Sequence, residues 1–178
     1  MNKKLQVFKY VLADFFSAVV AWGLFFIYRK YITEPGVPHS FEDIFSDYNF
    51  YIGICAIPAF WLILYTIIGS YRKIYRKTRV REMGQTLFIT LLGVIIIFFA
   101  LILDDVITSY KTYYKTFLVL FSLHFFITYI LRFTITSITI HKIHSRKMGF
   151  NTVMVGSNGN SVAIYNEIQN QKKSPGNI

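Results

Sequence analysis

Six bases crowd into one short polar stretch, GSYRKIYRKTRVREMGQ at 69–85: Arg72, Lys73, Arg76, Lys77, Arg79 and Arg81. Guanidinium and ammonium groups at this density bind phosphate, whether on a nucleic acid or on lipid headgroups. The bases recur as Tyr71-Arg72-Lys73 and Tyr75-Arg76-Lys77. On a helix the two tyrosines fall on one face and Arg72 and Arg76 on its neighbour. Rings at headgroup level with bases on lipid phosphate are what an interfacial helix presents. A basic loop that merely sets topology explains the same residues with less. A second candidate is GSNGN, where Gly156, Ser157, Asn158 and Gly159 stand between an apolar run and a helix start. Backbone N–H groups and the helix dipole receive phosphate at such turns. The spacing is Gly-x-x-Gly, without the third glycine of a dinucleotide fingerprint or the Lys-Ser/Thr of a P-loop, so a strand-to-helix turn with no ligand is the simpler account.

Two ionisable residues fall well inside apolar runs, Asp14 and Arg132. A rise of ~1.5 Å per residue puts both ~10–14 Å below the same end of their helices. A charge in hydrocarbon costs ~2.5–3.5 kcal/mol, which an inward-facing ion pair between the first and fourth helices offsets; separate snorkelling to the headgroups is the alternative. The other chemically capable groups stand alone. His124 has no ligand partner at metal spacing, His141 and His144 are two ligands where zinc needs more, and Asp104 and Asp105 offer too few oxygens for a hard cation. Cys55, the one cysteine, reads as a small buried hydrophobe. No Ser-His-Asp set, HExxH or carboxylate pair with a basic clamp occurs, so no catalytic residue, metal site or resident cofactor is assigned.

The elements that must position these groups are membrane spans. The 178 residues are 54% hydrophobic and 19% aromatic, with mean hydropathy +0.44, outside the usual soluble range. Apolar runs at about 11–28, 51–68, 87–103 and 117–140 predict an all-α membrane fold, a four-helix bundle over 1–145. Pro58 falls inside the second run, where lipid-embedded helices tolerate proline. The first run is long and lacks a small-residue cleavage site, so it reads as a retained span. The net charge of +10 comes in blocks between apolar runs, which argues for a bilayer and against nucleic acid. Fifteen of the nineteen bases lie at the N-terminus, in the 69–85 loop or from Arg132 onward. The positive-inside rule then puts both termini and that loop in the cytoplasm. Tyr28, Tyr31, Tyr48, Tyr51, Tyr110, Tyr113 and Tyr114 gather at the predicted outer interface, as an aromatic belt does.

Beyond a basic linker, HKIHSRKMGF, the composition changes. A strand at Thr152–Val155, the glycine turn and a helix at Ser161–Gln169 predict an incomplete Rossmann-like βα unit over 146–178. One strand and one helix bury no core, so the residues are expected to be the front of a longer architecture.

Several stretches in order, LADFFSAVVAW, GSYRKIYRKTRVREMGQT, FFALILDD, YKTYYK and NTVMVGSNGNSVAIYNEIQNQKKSPGN, resemble the N-terminal region of bacterial polyprenyl (undecaprenyl-phosphate) glycosylphosphotransferases of exopolysaccharide synthesis. The resemblance covers essentially the whole chain. It implies a four-helix domain in the bacterial inner membrane, then a Rossmann-like CoA-binding-type domain whose first turn corresponds to Gly156, Ser157 and Asn158. In complete members a further domain moves a sugar phosphate from a nucleotide sugar to undecaprenyl phosphate, using an acidic dyad and Mg²⁺. That domain is absent from these residues, so no cofactor is expected in this chain and it is expected to be inactive alone. The partners implied are the lipid bilayer, undecaprenyl phosphate and a second copy of the chain. Two rival readings stay open: a membrane-bound nucleotide-sugar epimerase/dehydratase, which usually carries a fuller glycine fingerprint, and a free-standing four-helix assembly or regulatory protein.

Overall fold

The computed structural model describes residues 3–33, 45–72, 74–102, 110–145, 147–149, 153–156 and 158–171. Four long helices, α1 (Lys3–Thr33), α2 (Tyr48–Ile67), α3 (Arg79–Ile102) and α4 (Tyr110–His144), are followed by a short α5 (Gly159–Asn170). The first four are long and apolar enough to cross a membrane, over Lys3–Lys30, Tyr48–Ile67, Arg79–Ala100 and Tyr113–His144. About twenty apolar residues suffice for a ~30 Å hydrocarbon core, so the chain is a membrane protein. No strand occurs among the described residues.

Local chemistry sets the helix ends. The Asp47 carboxylate accepts the Asn49 N–H at 3.0 Å and caps α2, and it also takes Lys30 at 3.2 Å, joining the end of α1 to the start of α2. At the other end of α2, Gly69 takes the left-handed φ of +77°. The Ser70 N–H then reaches the Tyr65 carbonyl at 2.9 Å and the Gly69 N–H the Thr66 carbonyl at 3.1 Å, a Schellman closure that turns the chain into the basic stretch. Thr78 restarts the helix, its hydroxyl accepting the Arg81 N–H at 3.3 Å. Pro58 is buried inside α2 and does not end it.

Helices α1 and α4 form the central pair; α2 packs on α1, α3 packs on α4, and α2 and α3 touch only lightly. Trp22, Phe25, Trp61, Tyr65 and Ile89 are the bulk of the apolar core. Outward faces carry Phe8, Phe16, Ile63, Phe88 and Phe126, all exposed, whereas Asp14, Glu82, Arg132 and six threonines are buried. This inversion of soluble-protein order fits a lipid surround, where helix contacts gain from interior polar groups. The start of α1, the Gly69–Gln85 stretch and the end of α4 gather at one end of the bundle, where Tyr75 faces Leu5 and Lys9 on one side and His141 and His144 on the other.

Several sequence expectations change. The helices outrun the expected spans, and α3 begins at Arg79, drawing Arg79, Arg81 and Glu82 into its first turn. The YRK repeat is no α-helix: only a 3-10 turn forms, at Ile74–Arg76. Residues 153–156 are irregular, with Val153 and Val155 exposed. A strand needs a neighbour for its N–H and C=O groups, and none exists among the described residues. The expected Rossmann-like unit is not shown; of its two elements only a helix forms, α5, which starts at Gly159, not at Ser161. Cys55 is exposed on α2, not buried, because Trp61, Leu64 and Tyr65 define the inner face of that helix. Asp104, Asp105, Lys73, Thr152 and Ser157 lie outside the described residues, as does the Arg76 side chain.

Candidate functional site: a buried charge network at the basic end

The centre of the bundle is a polar seam between α1 and α4. Gln6 donates to Thr139 at 2.7 Å, the Tyr10 and Thr136 hydroxyls are 2.6 Å apart, Asp14 meets Arg132, and Thr128 donates to Ser17 at 3.0 Å. Positions 6, 10, 14 and 17 ascend one helix while 139, 136, 132 and 128 descend the other. That is one polar pair per turn in antiparallel register, the 3–4 spacing that keeps a seam facing its partner along two closely aligned helices.

Arg132 grips Asp14 with both arms of its fork, Nε to Oδ1 and Nη2 to Oδ2, each at 2.7 Å. Its remaining nitrogen, Nη1, reaches Glu82 Oε1 at 3.4 Å, and its plane lies 4.0 Å from the centre of the Tyr65 ring. Asp14, Glu82 and Arg132 are wholly buried. Lys77 completes the set, its ammonium 3.2 Å and 3.0 Å from the two Glu82 oxygens. Two acids therefore meet two bases, and the cluster carries no net charge. Burial in low dielectric demands this balance, because an unpaired ion there costs several kcal/mol. Above the cluster His124 accepts or donates at 3.2 Å with the Tyr65 hydroxyl and stacks on Trp61, ring centres 3.6 Å apart. It is a packed histidine held by one ring and two hydroxyls.

The basic stretch is tied to this cluster from outside the spans. The Tyr71 hydroxyl donates to Asp14 Oδ2 at 2.7 Å. Burial, and then the Asp14 charge beside it, raise the Tyr71 phenol above its ordinary range, so it stays a donor. Burial lowers the Lys77 ammonium from its ordinary value while the Glu82 charge works the other way. Lys77 is thus not one of the outward bases: Arg72, Arg79 and Arg81 are exposed, whereas Lys77 turns inward. Glu82, Lys77 and Tyr71 were not sequence candidates for this cluster. The polar positions at 3–4 spacing on the first and fourth helices were the available signal for the seam; nothing comparable marks the loop residues.

The glycine turn stands apart from the network. Asn158 Oδ1 accepts the Ser161 N–H at 3.2 Å and its hydroxyl at 2.9 Å, so the start of α5 is capped by its own chain, at the N–H a phosphate would use. A Cβ added at Gly156 would meet the Ser161 hydroxyl. Among the described residues no group of three or more His, Cys, Asp or Glu side chains is placed to hold a metal ion.

The network has a direct test outside its central pair. Tyr71→Phe should destabilise the bundle by ~1.5–3 kcal/mol, the worth of a hydrogen bond to a charged group. Arg72→Gln, one position on and exposed, should stay within ~0.5 kcal/mol. Unfolding in mixed micelles measures both, and equal effects would mean that Tyr71 does not hold the loop.

No protein-family model, curated protein or solved structure matches the chain.

Proposed function

We propose that the chain is a membrane anchor that positions a phosphoglycosyl transferase, one that moves a sugar phosphate from a nucleotide sugar to undecaprenyl phosphate in the bacterial inner membrane. The observation that carries the anchoring part is the tie of Tyr71, Lys77 and Glu82 into the Asp14–Arg132 pair. It fastens the base-rich stretch to the helix that leads into the C-terminal segment, at the same end of the bundle. A scaffold of that kind holds whatever follows α4 at a fixed place beside the bilayer surface. The distribution of Lys and Arg supports placing this end in the cytoplasm. The transferase part rests on the sequence resemblance, and the burial of Asp14, Lys77, Glu82 and Arg132 in one set of ion pairs supports a positioning role.

Residues 1–145, grafted in place of the membrane region of a complete polyprenyl glycosylphosphotransferase, should sustain sugar-phosphate transfer to undecaprenyl phosphate in isolated membranes. The same graft with Arg132→Ala should lose that activity together with its stable insertion. A wild-type graft that inserts in full yield and supports no transfer would overturn the transferase reading and leave a free-standing four-helix protein as the better account.

A further inference from the structure

We infer that the groove between the start of α3 and the last turn of α4 is a seat for the phosphate of one anionic lipid of the surrounding bilayer. The groove is open and about 830 Å³ in volume. Arg79 and Thr78 line one wall and His141 and His144 the other, with Val80 and Ile140 adding apolar surface. None of the described residues that line it is acidic. The nearest acid on α3, Glu82, is buried and engaged by Lys77 and Arg132, so it does not neutralise Arg79. The positive character of the groove is therefore available to a ligand.

Depth selects what that ligand is. Arg79 begins one membrane-crossing stretch and His144 ends another, so the groove lies where hydrocarbon gives way to headgroups. A lipid there can set its phosphate against Arg79 and the two imidazoles while its chains follow Val80 and Ile140 toward the core. A planar guanidinium suits a phosphate's oxygens, and the exposed Arg79 side chain, whose guanidinium rests 5.6 Å from the centre of the Phe133 ring, about two turns of α4 from His141, turns from that ring toward the imidazoles to meet a phosphate. The carbonyls at the end of α4 do not oppose an anion as strongly as a bare helix end would. The Ser145 N–H takes the His141 carbonyl, and the N–H groups of Lys147 and Met148 take that of Lys142. The seat differs from a diffuse basic loop in needing His141 and His144, which are remote in sequence from the 69–85 bases, and in not needing Arg72 or Arg81.

The inference is independent of the transferase reading, since lipid retention is measured without any transfer. Native mass spectrometry of the full chain released from detergent micelles should show one phosphatidylglycerol retained in preference to phosphatidylcholine. The triple variant Arg79→Gln/His141→Gln/His144→Gln should weaken that retention about tenfold, while Arg72→Gln/Arg81→Gln changes it less than about twofold. Equal losses in the two variants would mean diffuse attraction and overturn the seat. Val80→Trp keeps every charge and fills the groove; it should weaken retention about fivefold, and undiminished binding by this variant would also overturn the proposal. Millimolar inorganic phosphate should leave the lipid in place, and displacement by it would reassign the groove to a free anion.

Discussion

Arg132→Met should cost the bundle about 3–5 kcal/mol, the penalty for removing one partner of a buried ion pair. Among the described residues the variant leaves Asp14 with only the Tyr71 hydroxyl, and Glu82 with only Lys77. Lys77 can balance one carboxylate, so the second must take up a proton or draw water into the span. Asp14→Asn should cost less, since the guanidinium keeps Glu82 at 3.4 Å and the Tyr65 ring at 4.0 Å. The double variant Asp14→Asn/Arg132→Met should recover part of the Arg132→Met loss, giving a coupling of ~0.5–3 kcal/mol in a double-mutant cycle read by unfolding in mixed micelles. If Asp14→Asn left folding unchanged, Arg132→Met collapsed it and the cycle showed no coupling, the pair would have no energetic meaning. A cycle with Asp14→Leu separates stability from specificity. Replacing a buried pair by apolar groups is often neutral, so Asp14→Leu/Arg132→Met should fold nearly as well as the parent while holding Tyr71 and Lys77 less firmly.

The pair was legible in the sequence because charges in apolar runs are rare and these two lie at equal depth from one end of the bundle. Its neighbours were not. Glu82 reads as a loop acid until α3 begins at Arg79 and rotates it inward; a helix start eight residues before the apolar run leaves no trace in hydropathy. Lys77 and Arg79 are alike by composition, yet one is buried and the other exposed. That difference arises from the Gly69 turn and the 3-10 turn at Ile74–Arg76, which set the direction of each following side chain. The repeat of Tyr71 and Tyr75 suggests a shared helical face, but the Schellman closure ends α2 just before it and sends Tyr71 toward Asp14 instead.

The four spans were legible because about twenty apolar residues leave a chain few alternatives to a helix across the bilayer. Their order of packing was not, for lipid-facing and buried apolar residues look the same in sequence. Residues 153–156 fail in the opposite way. The apolar run has strand chemistry, but strand pairing is a property of two segments, and only one is present among the described residues.

The second large effect concerns how α2 is held between its neighbours. A Cβ at Gly53 would run into the Trp22 indole of α1, and one at Gly93 into the Trp61 indole on α2. Gly93 sits on α3, so the two glycines let two tryptophans close the α1–α2 and α2–α3 contacts in turn. Neither ring has room to retreat. Trp61 is stacked against His124 at 3.6 Å with 12° between planes, and Trp22 is 6% exposed and flanked by Phe25 and Phe26. Glycine to alanine inside a helix ordinarily gains ~1 kcal/mol, so the sign of the change is decided by the clash. Gly53→Ala and Gly93→Ala should each destabilise by ~1–3 kcal/mol, as overpacking does. Gly84→Ala, where nothing lies within 4 Å, should be neutral or stabilising by up to ~1 kcal/mol. Pairing Gly93→Ala with Trp61→Phe makes room and should restore part of the loss. Gain of stability at Gly93 as at Gly84 would mean that α3 does not pack on Trp61. Because α2 ends in the Gly69 closure, any shift of Trp61 is passed to Tyr65 and Ser70, and thence to the Tyr71 hydrogen bond on Asp14. Gly93→Ala should therefore weaken the Asp14–Tyr71 coupling as well, which a Tyr71→Phe cycle in the Gly93→Ala background would register as a smaller loss than in the parent.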